Sequence, residues 1–259
     1  MKLQLVPPKQ GVQWVKSGMR TFFRQPLALS GLFFMFLATA SVLSLVPLVG
    51  NVIALVLLPG ITAGFMAASR EAQEGRFPMP WILITAFRQG QLPLRSMLTL
   101  GALYAICIVL VMGVSALVDG GHFAKIYLLG GNLTAELLQD DSFLAAALVA
   151  TALYAPVSLM FWHAPALVMW HQMPALKSVF FSLMACRRNL GAFMVYALAW
   201  VGVFVGSSMA VAIVATLFGD PSMAGAIMMP MALMLAAMFF TSLYFTFTDS
   251  FDTTPGETT

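Results

Sequence analysis

Six stretches of this chain are each long and apolar enough to cross a lipid bilayer, and no other feature restricts the fold so tightly. They run at about 28–48, 51–69, 97–118, 143–170, 192–218 and 223–247. Roughly 20 apolar residues span the hydrocarbon layer as a helix. No water is present there, so a spanning segment must satisfy its own backbone N–H and C=O groups, which a helix does. The expected fold class is therefore all-α: a polytopic membrane protein with six transmembrane helices in a single transmembrane domain over 1–248. The polar residues 249–259, which include Pro255-Gly256, read as a disordered cytoplasmic tail. Only 9% of the 259 residues are charged, against roughly 25% in soluble domains, so most of the surface does not face water. Ala38-Thr39-Ala40 resembles a leader cleavage site, but the apolar run continues to Val49 behind a basic N-terminal segment. It reads as an uncleaved span.

The charges order the spans. Lys2, Lys9, Lys16, Arg20 and Arg24 precede the first; Arg70, Arg76, Arg88 and Arg95 separate the second and third; Lys177, Arg187 and Arg188 separate the fourth and fifth. These are twelve of the thirteen basic residues, all on one side of a six-span arrangement. Lys125 falls on the other side, with Asp119, Glu136, Asp140, Asp141 and Asp220. Basic loops stay in the cytoplasm, so both termini of this multi-pass protein are expected to be cytoplasmic. The pI near 9.0 then reports topology and contact with anionic headgroups, and excludes a nucleic-acid partner as the reason for the charge.

Three basic segments have an amphipathic look. In V-Q-W-V-K-S-G-M-R-T-F-F-R, residues 12–24, Val12, Val15, Met19, Phe22 and Phe23 share one helical face, and Lys16, Arg20 and Arg24 form a stripe on another. Such a helix lies in the headgroup region. Residues 81–95 and 173–189 are similar, and the latter ends in Arg187-Arg188. The pattern suggests an elbow helix plus two spans, repeated three times. Lys16, Arg20, Arg24, Arg187 and Arg188 are the expected lipid headgroup contacts. Gly60-x-x-x-Gly64 and Gly202-x-x-x-Gly206 are small-residue stripes that let helices approach closely. They suit packing within the chain, or a homo-oligomer face.

One polar cluster interrupts the apolar pattern: F-W-H-A-P-A-L-V-M-W-H, residues 161–171. On a straight helix His163 and His171 stand about 12 Å apart along the axis and roughly 80° apart around it, so they cannot share a metal. Covalent haem needs C-x-x-C-H, which is absent. No cofactor or metal is expected. Trp170 and His171 suit the membrane–water interface, where aromatic belts form. His163 sits deeper, with Pro165 two residues on. A polar residue inside a span faces a cavity or a partner, or hydrogen-bonds backbone freed by a break. His163 and Pro165 are thus the candidate polar site, and Pro59 and Pro156 mark further places for a kink. No G-x-S-x-G, H-E-x-x-H or P-loop occurs, and no catalytic residue is expected.

The N-terminal V-P-P-K-Q-G-V-Q-W-V-K-S-G-M-R-T-F-F-R-Q-P-L, with V-P-L-V-G, L-P-G-I-T-A-G-F-M-A-A, A-P-A-L-V-M-W-H and S-L-M-A-C-R-R-N-L-G-A-F, resembles an uncharacterised family of betaproteobacterial inner-membrane proteins. More distantly, the chain is similar to the multi-span domain attached to some glycerophosphodiester phosphodiesterases. Neither resemblance implies a reaction or supplies functional residues, and no phosphodiesterase catalytic domain is present. The expected function is that of a non-enzymatic membrane protein that organises lipid or a partner membrane protein. The alternative is a channel or facilitator for a small neutral or lipid-like solute.

Overall fold

A computed structural model describes residues 2–46, 48–218 and 222–252 of the chain. Asp220, and the tail from residue 253 onward, lie outside the described residues. Eleven helices are present among those described: α1 Gln10–Arg24, α2 Pro26–Ser44, α3 Val49–Gln73, α4 Gln91–Asp119, α5 His122–Leu129, α6 Ala135–Leu138, α7 Asp141–Phe161, α8 Ala164–His171, α9 Ala175–Arg188, α10 Leu190–Leu217 and α11 Ser222–Ser250. Two-residue strands β1 (Lys2–Leu3) and β2 (Phe251–Asp252) pair antiparallel. The protein is an all-α polytopic membrane protein with six helical segments long and apolar enough to cross a bilayer: Pro26–Ser44, Val49–Gln73, Gln91–Asp119, Asp141–His171, Leu190–Leu217 and Gly225–Ser250. Each lies within a few residues of its expected place. α3 and α7 run unbroken through Pro59 and Pro156.

The expected elbows divide. Residues 10–24 and 175–188 are α-helices, but the middle one is only a 3-10 helix over Pro80–Phe87. Its sequence P-W-I-L-I-T-A-F has no polar stripe, and Gly90, at φ +107°, ends the segment before α4 begins. Arg95 therefore belongs to the first turns of the span and not to an elbow.

The contacts gather in two compact units, Met1–Phe34 with Gly64–Leu83 and Ala185–Thr259, and Met35–Ala63 with Ile84–Met184. In the first unit α1 packs on α10 and α11. Its buried face is Gly11, Trp14, Val15, Gly18, Thr21 and Phe22; of the expected apolar face Val15 and Phe22 are buried, Val12 and Met19 are half-buried, and Phe23 is 59% exposed. A Cβ on Gly11 would meet Ala192 O at 2.3 Å, and one on Gly18 would meet Ser242 Cβ at 2.4 Å. Two missing side chains thus let the helix sink onto its neighbours, with Trp14 against Phe193 (ring centroids 5.3 Å) and Tyr196 (5.9 Å). Tyr196 Oη lies 2.5 Å from Ser242 Oγ, which donates to Phe239 O, so the tyrosine donates to the serine. α1 is therefore a packed part of the fold, and its lysine and arginines are exposed as the stripe pattern predicts.

The second unit is built on α4 against α7. Met97, Leu100 and Ile108 are fully buried, Tyr104 meets Phe161 edge-on at 5.1 Å, and Ser115 Oγ donates to Ala146 O at 3.0 Å. Asp119 closes α4. Its carboxylate accepts from Gly121 N (2.8 Å) and Phe123 N (2.6 Å), satisfying the start of α5.

Small-residue stripes behave differently in the two helices that carry them. A Cβ on Gly60 would strike the Phe87 ring, and one on Gly64 the Leu83 backbone, whereas Gly202 and Gly206 are exposed with nothing within 4 Å. The first stripe packs the chain as expected; the second does not pack it. Gly18→Leu is therefore expected to lower the thermal unfolding midpoint in detergent, at an overpacking cost of about 1–3 kcal/mol. Gly202→Leu is expected to change stability by no more than about 0.5 kcal/mol. Equal midpoints for the two variants would refute the packing role of Gly18.

Candidate functional site

The polar cluster at 161–171 is a helix break with its own repair. α7 ends at Phe161, Trp162 and His163 are non-helical, and α8 restarts at Ala164 with Pro165 in its first turn. The break fits the sequence. Proline lacks an N–H and suits a first turn, where no intrahelical donor is needed. In an unbroken helix the His163 N–H would bond Leu159 C=O. Here the Ser182 hydroxyl of α9 stands between them: His163 N donates to Ser182 Oγ at 2.9 Å, and Ser182 Oγ donates to Leu159 O at 2.8 Å. One hydroxyl thus satisfies both backbone groups that the break separates. His163 is 0% exposed, and Pro165 is buried beside it. The link between His163 and a freed backbone runs through its amide and Ser182.

His171 ends α8 with Trp170, and both are half-buried. The helix stops there because Gln172 takes a left-handed conformation (φ +50°) and its N–H bonds Leu167 O. His163 and His171 thus stand at opposite ends of one short helix. Among the described residues, no three His, Cys, Asp or Glu side chains gather as a metal site would.

The five expected headgroup contacts lie in the other unit, which also holds a clasp between the N-terminal strand and the end of α11. Gln4 N donates to Ser250 O, continuing the β1–β2 pairing. Asn189, 2% exposed, joins the N-terminal strand: its Oδ1 accepts from Val6 N and its Nδ2 donates to Gln4 O, both at 3.0 Å. Asp249 Oδ2 accepts from Gln10 Nε2 (2.6 Å) and Trp14 Nε1 (2.8 Å). Residues 249–252, expected in a disordered tail, are therefore the ordered C-terminal half of this clasp, because the carboxylate gives the buried indole N–H its acceptor.

The basic residues of this unit include two groups. Arg24 Nη1 donates to Gln73 O at 2.9 Å, and Arg70 and Arg76 both pair with Glu74. The Arg70 hydrogen bond, aided by Arg76, holds the Glu74 carboxyl below the usual carboxylate range. Lys16 and Arg20 on α1, and Arg187 and Arg188 at the end of α9, are exposed and form no ion pair or hydrogen bond with described residues. Of the five expected headgroup contacts, Arg24 is thus already engaged and four are open.

Sequence reasoning missed Ser182, Asn189, Asp249 and Gly18. Asn189 follows Arg187-Arg188 at the start of a span, where an asparagine reads as a helix cap. Its side chain caps nothing and is spent on the N-terminal strand instead. Nothing local marks Ser182, because its partners lie about twenty residues away.

A protein of Burkholderia thailandensis described as a "probable inner membrane protein" is 42% identical over 254 residues, covering 97% of this chain and 94% of that protein. No protein-family model matches the chain, and no solved structure does. The distant likeness to the phosphodiesterase-attached membrane domain finds no support there.

Ser182→Ala is expected to destabilise the protein by about 1–3 kcal/mol, since it strands a buried N–H and a buried C=O. Ser178→Ala should cost less, because that hydroxyl only back-bonds Ala175 O in its own helix (2.7 Å). Thermal unfolding, with hydrogen exchange read at the 159–165 peptide, checks the difference. Equal losses and unchanged exchange at the break would contradict the bridge.

Proposed function

This chain belongs to the family of that Burkholderia protein and is a multi-pass inner-membrane protein with six apolar helices; from that premise we propose that it organises anionic lipid, and through it a partner membrane protein, without catalysing a reaction. The observation that carries this is the set of four open cations, Lys16, Arg20, Arg187 and Arg188. They stand on helices that flank spans, next to the clasp that joins the two ends of the chain. Their neighbours Arg24, Arg70 and Arg76 are neutralised or tied to backbone within the fold. The four have no such partner, and an anionic leaflet supplies one at about 1 kcal/mol per residue. The basic side faces the cytoplasm in this reading, as the loop asymmetry requires.

A second reading draws on the buried break inside the fourth span. A polar residue there is a reason to consider passage of a small neutral or lipid-like solute past His163. The bridge by Ser182 satisfies the freed backbone within the protein, which favours the lipid-organising role.

Changing Lys16, Arg20, Arg187 and Arg188 together to Gln is expected to remove most co-purifying anionic phospholipid, seen by native mass spectrometry from mild detergent. The loss relative to zwitterionic lipid should be roughly tenfold or more, and it should shrink in wild type as salt is raised. The unfolding midpoint in lipid-free detergent should hold. Unchanged lipid retention by the folded variant would sink the proposal. Flux into vesicles that His163→Leu abolishes without unfolding would favour the second reading.

A further inference from the structure

We infer that a cavity between α2, α3 and α5 is a binding site for a single-chain neutral amphiphile. The cavity measures about 230 Å³, is partly open, and is lined by Phe36 and Ala40 of α2, Asn51, Ala54, Leu55 and Leu58 of α3, and Tyr127 and Leu128 of α5. All of these belong to the second unit. The site is independent of the basic clasp region and of the role proposed for it.

Its position follows from connectivity. α2 and α3 are consecutive spans joined at residues 45–48, and the cavity uses the second half of one and the first half of the next. α5 lies in the connection between α4 and α7, which alternation of spans puts at the same end. The cavity therefore lies toward the ends of α2 and α3 that their connection joins, where an apolar span nears the headgroup layer.

Chemistry then narrows the occupant. Six of the eight lining residues are apolar, and none is Lys, Arg, His, Asp or Glu. A charged headgroup would be left without a counter-charge there. Asn51 is held in place because its Nδ2 donates to Leu128 O at 2.6 Å. That carbonyl is among the last of α5, where no intrahelical N–H reaches. With the amide nitrogen so used, Asn51 Oδ1 accepts from no described residue and remains an acceptor at the cavity. Tyr127 adds a hydroxyl. Like any phenol of pKa about 10, it is neutral at neutral pH. The polar wall thus offers an amide oxygen and a neutral hydroxyl, which match a ligand hydroxyl or amide N–H. The volume is below the about 300–1,000 Å³ of pockets that take a drug-sized ligand, so it admits one chain, not a two-chain phospholipid. Monoacylglycerols and long-chain alcohols have this chemistry.

The test uses the full chain in detergent and a monoacylglycerol with a diazirine in its acyl chain, with labelled sites mapped by mass spectrometry. Labelling should concentrate on peptides containing residues 36–58 and 122–129. Ala54→Phe, which fills the cavity, should cut it about fivefold or more, the equivalent of about 1 kcal/mol. Ala40→Phe, from the facing helix, is the second filling variant should the first not fold. Excess unlabelled monoacylglycerol should compete, and palmitate anion should compete far less. Labelling spread evenly over the six spans, or untouched by a folded filling variant, would overturn the site. Equal competition by palmitate would overturn the neutral headgroup.

Discussion

Water is absent from the hydrocarbon layer, and every backbone polar group inside it needs a partner from the chain itself. The six long helices answer that demand along most of their length. Polar side chains in the spans largely repeat the same answer: Thr62, Ser69 and Thr241 return their hydroxyls to carbonyls of their own helices. A break in a span is where the demand becomes acute. At 162–163 it is met by a hydroxyl from another helix, so Ser182 gives α7 and α8 a joint that a continuous ladder would not have. Proline starts the second half without penalty because its missing N–H falls in a first turn.

The same scarcity of partners explains the clasp. Trp14 is buried against aromatic rings and still needs an acceptor for its indole N–H. Asp249 supplies it, and in doing so orders the end of α11 and the short strand after it. Asn189 serves the N-terminal strand in the same manner. Both termini are therefore held at one end of the first unit, as an even number of spans requires. α1 also gains a role beyond floating at the interface. It is locked onto α10 and α11 by two glycines and an aromatic cluster, so its cations are presented from a fixed helix.

How much of this could be read in advance depends on the range of the interaction. The spans are legible because hydropathy is a local sum, and each was placed within a few residues. α1 and α9 are legible from periodicity. The 3-10 segment was misread because Arg88 and Arg95, which follow it, suggested an amphipathic helix, whereas P-W-I-L-I-T-A-F itself has no polar face. The buried side of α1 was read only in part, with Val15 and Phe22 right and Phe23 wrong, because the sequence ranks large apolar groups first. The packing instead turns on what is missing at Gly11 and Gly18. Pro165 announced the break, but not its partner. Ser182, Asn189 and Asp249 act across separations of 19 to 239 residues in their hydrogen bonds, and no local pattern encodes such pairs.

In a protein this apolar, polar groups are few enough to follow individually, and most are consumed by the fold. Ser182 repairs a helix, Ser242 receives Tyr196, Asn189 and Asp249 hold the chain ends, and Glu74 gathers Arg70 and Arg76. A group spent in this way is a poor candidate for ligand recognition, because binding would have to replace a bond already made. The unspent groups are the informative ones. Lys16, Arg20, Arg187 and Arg188 present charge with no counterpart among the described residues, while Asn51 Oδ1 and the Tyr127 hydroxyl present neutral polarity beside an apolar cavity. The two sets differ in charge and lie in different units, so the occupants proposed for them differ: anionic headgroups in one case, an uncharged amphiphile in the other. Two lipid chemistries recognised by one small membrane protein are what a lipid-organising role would need, and neither demands a reaction at the buried histidine.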